Sequence, residues 1–490
     1  MIAGIVIANL RDRLIGTFLP FFVPDASPTE DWRYGDPLDW IFENDLIPLA
    51  GIVVLGIVAL LIAGFYLSWR WHTFRITEDQ VEVRSGILFR TQRRAPLDRV
   101  QGVNLTRPLF ARLVGMGKLE VVGAGLDANV KLEYLSTADA EEVRADILRL
   151  ASGARLARTE PSTGAVGSRA HAVTSAVSNG ITGLINGAEE PAGEPESVVH
   201  IPVGRLIASH VLSGGTVGLL LLIIGVVIAS AFGATWALFT LIPAIIGFGA
   251  YWFSQIVKAL RYSIAPTPDG VRITFGLFTT VTETLPPGRV HAVEISQSIL
   301  WRPAGWWMIR INRLTGRSAT DTTTDQFTTV LPVGTRDDVE RVLRLLLPGT
   351  PDEEWPLIFE HGILGPGKED PYTNTPGRAR IIRPFSWRRN GFLLAPHAML
   401  LRRGVIWCKL GIFPFARLQS FALHQGPVDR MLRVATGRVQ TVSGPVWGTL
   451  AAIDRDAALG LFEDVARSAV AAASVDRSHR WREEQWGEQR

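Results

Sequence analysis

The chain has 490 residues, 47% of them hydrophobic, and its 50 lysines and arginines nearly balance 47 aspartates and glutamates to give a formal net charge of +3. A positive excess this small, with no dense basic tract, argues against a nucleic-acid-binding protein. The single cysteine, Cys408, excludes an internal disulfide framework and a multi-cysteine metal site.

The N-terminal region contains two segments of different character. Residues 1–24 are apolar except for Arg11, Asp12 and Arg13, so neither half is long enough to span a membrane alone. Three interpretations stay open: an interfacial helix, a poorly inserting span, and a span shortened by a misplaced start codon. Residues 25–45 contain seven carboxylates and one basic residue, and we predict an acidic external loop.

Uncharged runs predict three transmembrane helices. Residues 46–69 form a run of 24 without a charged side chain, which matches the roughly 20 residues that one span requires. The 52 uncharged residues at 206–257 predict two spans, 206–231 and 234–257, joined by a tight turn near Gly233. Basic residues follow the first run and flank the second, which by the positive-inside rule places these ends in the cytoplasm: Arg70, Arg75, Arg205, Lys258 and Arg261.

A 17-residue signature occurs three times, each time beginning at an opening arginine, which we number as position 0: Arg99, Arg289 and Arg417. Apolar residues two apart follow it and predict a half-buried strand. A second arginine stands at position +13 in each copy: Arg112, Arg302 and Arg430. A glycine stands at position −13, where a turn between strands favours a residue tolerant of positive φ: Gly86, Gly276 and Gly404.

The signature marks one domain used three times. Each copy is predicted to contain about seven short antiparallel strands and a closing amphipathic helix, which would form a small barrel or sandwich. We place the copies at 73–150, 260–347 and 388–473. The segments between and after them are predicted to be a flexible linker at 151–205, a linker at 348–387 and a charged tail at 474–490.

The signature residues resemble those of bacterial membrane proteins with pleckstrin-homology-like (PH-like) domains of the YdbS/YdbT type. That family has an Arg-Ile/Val-Gln-Ser segment followed by Gln-Gly-Pro-Leu-x-Arg-x-x-Gly. The first copy matches it at 99–102 and 108–115, and the third at 417–420 and 425–430. The second copy departs, with His291 for Gln and Ser298-Ile299 for Gly-Pro, and Arg433 replaces the last Gly in the third. The resemblance implies mainly β modules, three PH-like barrels with capping helices, attached to an α-helical membrane region.

The repeated arginines have two interpretations. They can present guanidinium groups to lipid phosphates, because arginine makes bidentate bonds to phosphate. They can instead pair with a carboxylate or a backbone carbonyl within their own barrel, which we favour because a feature kept in every copy usually serves the fold. The candidates are Arg93, Arg94, Arg99, Arg112, Arg289, Arg302, Arg417 and Arg430.

No copy repeats a histidine, cysteine or carboxylate at one aligned position, as a repeated catalytic or metal site would require. His291 and His424 lie near the signatures without a partner cluster, which is more typical of structural histidines. We therefore predict no enzymatic activity, no metal and no cofactor.

The sequence thus predicts a multi-pass protein of the bacterial plasma membrane that presents three cytoplasmic PH-like modules as a scaffold. Expected partners are membrane lipids, with anionic headgroups as one candidate, and another membrane protein or a second copy of the chain. The alternatives are an envelope-stress, export or transport component whose modules bind a neighbouring membrane protein through a sheet edge and, with least support, a lipid-processing enzyme or transporter.

Overall fold

The computed structural model describes residues 47–77, 79–86, 90–123, 129–151, 197–233, 236–268, 270–286, 288–314 and 328–476. The predicted N-terminal segment 1–24, the acidic loop 25–45, most of the linker 151–205 and most of the charged tail 474–490 lie outside these ranges. The chain divides into two units, one formed by residues 1–72 and 85–90 and the other by residues 73–84 and 91–490.

The first unit contains helix α1, Ile47–Arg70. Its sequence is apolar throughout and ends in Tyr66, Trp69 and Arg70, the residue types that favour a membrane interface. The stretch Gly51–Arg70 is long and apolar enough to cross a membrane. The structure thus forms a helix where a span was predicted at 46–69.

Repeat 1 consists of six strands and two helices. A three-stranded sheet, the N-half, is followed by a second three-stranded group, the C-half, and by a closing helix. The bounds are β1 Thr73–Ile76, β2 Gln80–Ser85, β3 Thr91–Pro96, β4 Val100–Arg107, α2 Leu109–Leu113, β5 Met116–Gly123, β6 Val130–Ser136 and α3 Thr137–Ala151. Ile147 and Leu148 of α3 are buried against the strands because the apolar residues of the helix share one face.

Three helices precede repeat 2: α4 Val203–Val211, α5 Gly214–Ala231 and α6 Trp236–Ala259. Helix α5 is apolar and long enough to cross a membrane, and α6 packs against it. The predicted helix at 206–231 is wrong in its bounds, because the chain breaks at Leu212 and Ser213. Leu206 and Ser209 are buried against repeat 2, so α4 belongs to that repeat rather than to a span.

Repeats 2 and 3 have the same order of six strands and a closing helix, each preceded by one extra short strand. Repeat 2 contains β7 Val199–His200, β8 Ser263–Thr267, β9 Gly270–Phe275, β10 Thr280–Leu285, β11 Val290–Ser298, β12 Trp307–Arg313, β13 Thr329–Gly334 and α7 Arg336–Leu346. Repeat 3 contains β14 Thr373–Asn374, β15 Gly391–Leu394, β16 Ala398–Arg403, β17 Trp407–Pro414, β18 Ser420–His424, α8 Pro427–Met431, β19 Val434–Gln440, β20 Gly448–Asp454 and α9 Arg455–Val475.

The repeats are joined into continuous sheets and are not separate barrels. The C-half of repeat 1 and the N-half of repeat 2 form one seven-stranded sheet in the order β6-β5-β4-β10-β9-β8-β7. The C-half of repeat 2 and the N-half of repeat 3 form another, in the order β13-β12-β11-β17-β16-β15-β14. Three-stranded sheets, β1-β2-β3 and β18-β19-β20, remain at the two ends. The expected helix-capped antiparallel module is present three times, but each junction shares one sheet between two modules.

A glycine with positive φ precedes the third strand of the N-half in each repeat. The three glycines at position −13 have φ of +105° at Gly86, +100° at Gly276 and +73° at Gly404. A Cβ at Gly276 would overlap the carbonyl oxygen of Thr279, and one at Gly404 would overlap that of Trp407. Glycine is therefore required at these two turns by both backbone conformation and space.

The segment predicted as a linker at 348–387 is folded. It contains a π-helical stretch, Leu357–Ile363, whose residues Ile358, Phe359 and Ile363 are buried in the core shared by repeats 2 and 3. Further along, Asp370 pairs with Arg402 of β16, whose side chain is fully buried. This segment covers one face of the second seven-stranded sheet and is not a spacer.

Candidate functional site at the repeat tips

Each repeat has a protruding segment, here called its tip, between positions +8 and +15 from the opening arginine. The tips comprise residues 107–114, 297–304 and 425–432, and each contains a short helix: Leu109–Leu113, the 3₁₀ turn Ile299–Trp301, and Pro427–Met431. Proline stands at the start of the short helix in tips 1 and 3, where a backbone N–H would have no partner within the helix. In tip 2 the Ser298 hydroxyl caps the turn by accepting a hydrogen bond from Leu300 N–H. Helices this short hold no core of their own, so their outer side chains reach solvent.

All three tips expose an apolar side chain at position +11. Phe110 is 80% exposed, Leu300 38% and Val428 55%. Neighbouring tip residues are also exposed: Val114, Ile299 and Met431. The same position is thus apolar and exposed in all three copies.

The arginine at position +13 stands beside this apolar residue and crosses to the next repeat. Arg112 donates to Thr280 Oγ1 at 3.2 Å, and Arg302 donates to Cys408 Sγ at 2.9 Å. Thr280 and Cys408 both occupy position −9 of the following repeat. The expectation of a partner inside the same barrel is therefore wrong for these two arginines. Arg430, in the last repeat, is exposed.

Positive charge is concentrated at tip 1. Burial, followed by repulsion from Arg261 and Arg107, lowers the pKa of Arg112 below its ordinary value. Arg261 comes two residues after the end of α6, and Lys258 lies in the last turn of that helix. An anion placed here would relieve the repulsion among these guanidinium groups.

Tip 1 lies close to the end of the α5–α6 helix pair. The turn between β9 and β10, which leads into Thr280, is bonded to the end of α6: Gly276 N–H donates to Leu260 O at 2.8 Å, and Leu277 N–H donates to Val257 O at 3.3 Å. A groove of about 370 Å³ opens between this turn and α6, lined by residues that include Lys258 and Phe278. Phe278 is 51% exposed, so the groove combines an apolar wall with positive charge.

Tip 2 is bonded to the C-terminal end of α4. The Nε1–H of buried Trp301 donates to the carbonyl oxygens of Ser209 at 3.2 Å and Leu212 at 3.0 Å, just before α5 begins at Gly214. Exposed Ile406 and Trp407, from the β16–β17 turn, precede the Cys408 that Arg302 contacts. Tips 1 and 2 thus both lie near the end of the helix pair at which α5 begins and α6 ends.

The opening arginines occupy different surroundings. Arg99 is exposed, with Asp98 at 3.8 Å, whereas Arg289 donates to the carbonyl oxygen of Asp98 at 3.3 Å and has its pKa lowered mainly by burial. Arg417 pairs with Asp476 at 2.8 Å. Arg93 and Arg94 are exposed on β3.

The two histidines near the signatures lie in different surroundings. His424 is exposed on β18, and burial followed by repulsion from Arg417 lowers the pKa of His291 to about 4. Within the described ranges, no cluster of three histidine, cysteine or carboxylate side chains could hold a metal ion.

Sequence reasoning missed part of this site. It used Arg261 and Lys258 only to orient the helix pair, and it gave the apolar tip residues, such as Phe110, no role. The usable signal was the apolar residue recurring at position +11 beside an arginine at +13. A single apolar residue on a five-residue helix is otherwise indistinguishable from a core residue.

The family model described as Bacterial PH domain matches the chain three times, at residues 18–151, 212–350 and 375–469. These matches cover most of the chain, which therefore belongs to the bacterial PH domain family and is a membrane protein with three PH-like modules. It is also 26% identical over 109 residues to the UPF0699 transmembrane protein YdbT of Bacillus subtilis (strain 168). That match spans 22% of the length of each protein.

Proposed function

We propose that this protein is a non-enzymatic scaffold of the plasma membrane whose PH-like modules bind the anionic membrane surface through their tips. The observation that carries the proposal is the repeated pairing of an exposed apolar residue at position +11 with an arginine at +13. An apolar side chain can enter the boundary between headgroups and acyl chains, while an adjacent guanidinium group binds phosphate.

The positions of the tips support a membrane surface as the ligand. Arg112 of tip 1 contacts Thr280, and the turn leading into Thr280 is hydrogen-bonded to the end of α6. Trp301 of tip 2 is hydrogen-bonded to the residues just before α5, which has the length and composition of a span. With the helix pair inserted, both tips would lie at the level of the headgroups. Positive charge at that level, from Arg261, Arg112 and Lys258, gains about 1 kcal/mol per residue from an anionic leaflet.

The orientation follows from the same charges. Basic residues next to the helix pair favour the cytoplasmic side, because short basic flanks are retained there. The protein would then be multi-pass, with all three modules in the cytoplasm. Reporter fusions after Ala151 and after Arg490 should both give a cytoplasmic signal, and a periplasmic signal from either would overturn this orientation.

Insertion of the tips can be measured in the full chain reconstituted into vesicles. A cysteine introduced at Phe110 or at Val428 is labelled with an environment-sensitive fluorophore. The native Cys408 is kept, because it is buried and should not react with the label. We expect lipids brominated in the upper acyl chain to quench both probes in anionic vesicles. Arg112→Gln should reduce quenching of the Phe110 probe, and added salt should reduce it further.

The matched control is Trp447→Cys. Trp447 is 63% exposed, yet it lies beyond Gln440, at the opposite end of β19 from tip 3. Seven residues of strand separate those ends by roughly 20 Å. Quenching of the tip probes no greater than that of the Trp447 probe would contradict membrane binding and would make the tips sites for a protein partner.

A further inference from the structure

The two junctions between repeats use one register. At the first junction Leu105 of β4 lies opposite Thr282 of β10, and at the second Ile295 of β11 lies opposite Leu410 of β17. Counted from the opening arginines, both pairs join position +6 of one repeat to position −7 of the next. Both junctions are antiparallel, so the same interface is built twice with different side chains.

The side-chain contacts of the junctions repeat as well. The arginine at +13 reaches position −9 of the next repeat at both junctions, as described for Arg112 and Arg302. The closing helix of the earlier repeat also crosses the first junction, where Glu141 pairs with Arg272 at 2.9 Å and Arg144 donates to Thr284 at 3.3 Å. Each junction therefore joins the C-half of one repeat to the N-half of the following one.

Three repeats form two such junctions. The N-half edge of repeat 1 and the C-half edge of repeat 3 take part in neither of them. Strand β3 is the joining edge of an N-half, and β18 is the joining edge of a C-half; among the described residues, each lies at the end of its sheet. Their equivalents inside the chain are mostly buried, whereas Gln92, Arg93 and Arg94 of β3 are exposed and β18 alternates between exposed and half-buried residues. Strand β18 contains neither proline nor a charged residue that would block pairing.

The closing helix beside β18 is α9, and it exposes apolar side chains at the positions that cross the first junction in α3. Glu141 and Arg144, which cross the first junction, are the fifth and eighth residues of α3. The fifth and eighth residues of α9 are Leu459 and Phe462, which are 51% and 44% exposed. The ring of Phe462 lies 6.2 Å from that of Phe421 on β18, so an apolar strip runs along the free edge.

We propose that the free edge β18 of one molecule pairs with the free edge β3 of a second copy, in the register of the internal junctions. Position +6 of repeat 3 is Leu423 and position −7 of repeat 1 is Gln92, so these two residues would be opposite each other. Arg93 would then lie opposite Ala422. Arg94 would lie opposite Phe421, on the face where a guanidinium can stack on Phe421 and Phe462. A second copy is the favoured occupant because it continues an interface that this chain already forms twice.

Such pairing is head-to-tail, and so it forms a chain of molecules or a closed ring rather than a two-fold dimer. One internal feature is not reproduced. Position −9 is Arg90 in repeat 1, where the internal junctions have Thr280 and Cys408, so Arg430 would meet a like charge. The contact is therefore reversible and is favoured by the high effective concentration within a membrane.

The register can be tested by cross-linking full-length protein in vesicles. Arg93→Cys in one tagged copy and Ala422→Cys in another would place two thiols on directly opposite residues, whose Cα atoms are about 5 Å apart in antiparallel pairs. We expect a short bismaleimide to yield the mixed dimer from this pair and a ladder of higher species from the double variant. The control is Val470→Cys in place of Ala422→Cys; Val470 is 73% exposed on α9, eight residues and therefore about 12 Å along the helix beyond Phe462.

Two further variants adjust the strength of the contact without touching the core. Ala422→Arg sets a like charge opposite Arg93 and should weaken association roughly two- to fivefold, whereas Arg90→Thr restores the internal pattern and should strengthen it by a similar factor. Mixed cross-linking that does not exceed the Val470 control overturns the proposal. So does a cross-link that forms only within one chain, since another segment of the same molecule would then occupy the edge.

Discussion

Asn312 of β12 and Val446 of repeat 3 exchange two hydrogen bonds: Asn312 Nδ2 donates to Val446 O and Val446 N–H donates to Asn312 Oδ1, both at 2.8 Å. Nδ2 also lies 3.3 Å from the carbonyl oxygen of Val442, and Asn312 is only 1% exposed. One buried amide from repeat 2 thus shapes the loop at 441–447 in repeat 3. The repeats are joined by side chains as well as by shared strands.

Replacing Asn312 by alanine should therefore destabilise the protein. Buried backbone groups of the loop would lose their partner, and each unsatisfied group costs about 1–3 kcal/mol, so we expect a loss of roughly 2–4 kcal/mol in the free energy of unfolding. Thermal unfolding of the full chain in detergent measures it. Gln440→Ala, which removes an exposed hydrogen bond to Ser420 nearby, is the control and should cost less than about 1 kcal/mol. Equal midpoints for the two variants would contradict the role assigned to Asn312.

The turn before β10 gives a second prediction. Gly276 has a φ of +100°, and a Cβ there would overlap the carbonyl oxygen of Thr279. Gly276→Ala should cost more than the roughly 1–3 kcal/mol of backbone strain alone. Gly305→Ala is the matched control, since Gly305 also has a positive φ, +62°, but its Cβ would have nothing within 4 Å. We expect a lower unfolding midpoint for the Gly276 variant, and the reverse order would show that the close approach is not what the turn requires.

The sequence predicted the repeated strands, the turns and the closing helices, because the relevant signals are local. It did not predict that neighbouring repeats share a sheet. Alternating apolar residues show that a strand is half-buried but do not show which strand lies at its edge. The sequence of β10 is mostly polar, yet its residues Thr282, Glu283 and Thr284 are at most 2% exposed in the structure. Their burial depends on partners contributed by distant segments, such as Arg313 for Glu283.

The segment at 348–387 was misjudged for a related reason. Its glycines and prolines are typical of a connection, but Trp355, Ile358 and Phe359 recur at helical spacing and are at most 5% exposed. The arginines of the candidate site were identified from their spacing, whereas their contacts were not predicted. Arg112 and Arg302 reach across a junction that the sequence did not reveal.

Acidification should weaken the junction between repeats 2 and 3 through His291. Burial followed by the charge of Arg417 lowers the pKa of His291 to about 4 from 6.5. Because the folded protein favours the neutral ring, this stabilisation is fully present above about pH 6.5 and is lost as the pH falls towards 4. Partial exposure of the ring limits the loss between pH 7 and pH 5 to at most about 2 kcal/mol.

Thermal unfolding at pH 7 and pH 5 tests this effect by comparison of variants. His291→Gln cannot be protonated, so its midpoint should fall less between the two pH values than that of the wild type. His424→Gln removes an exposed histidine of β18 and should keep the wild-type dependence. If both variants shift as the wild type does, His291 is not the group responsible.

The ion pair between Arg402 and Asp370 should hold the 348–387 segment on the sheet. Arg402 is fully buried, donates to both carboxylate oxygens of Asp370, and lies 4.4 Å from the centroid of the Tyr372 ring. Arg402→Met keeps much of the side-chain volume but leaves Asp370 without its charged partner, which should cost about 3–5 kcal/mol. Trypsin cleavage at the exposed Lys368 should accelerate, because the segment would separate from the sheet more often.

Arg467→Met is the control. It removes a pair in which Arg467 and Asp464 are 75% and 52% exposed, and it should change stability by less than about 1 kcal/mol. Cleavage at Lys368 that is no faster in Arg402→Met than in Arg467→Met would show that the apolar residues alone hold the segment in place.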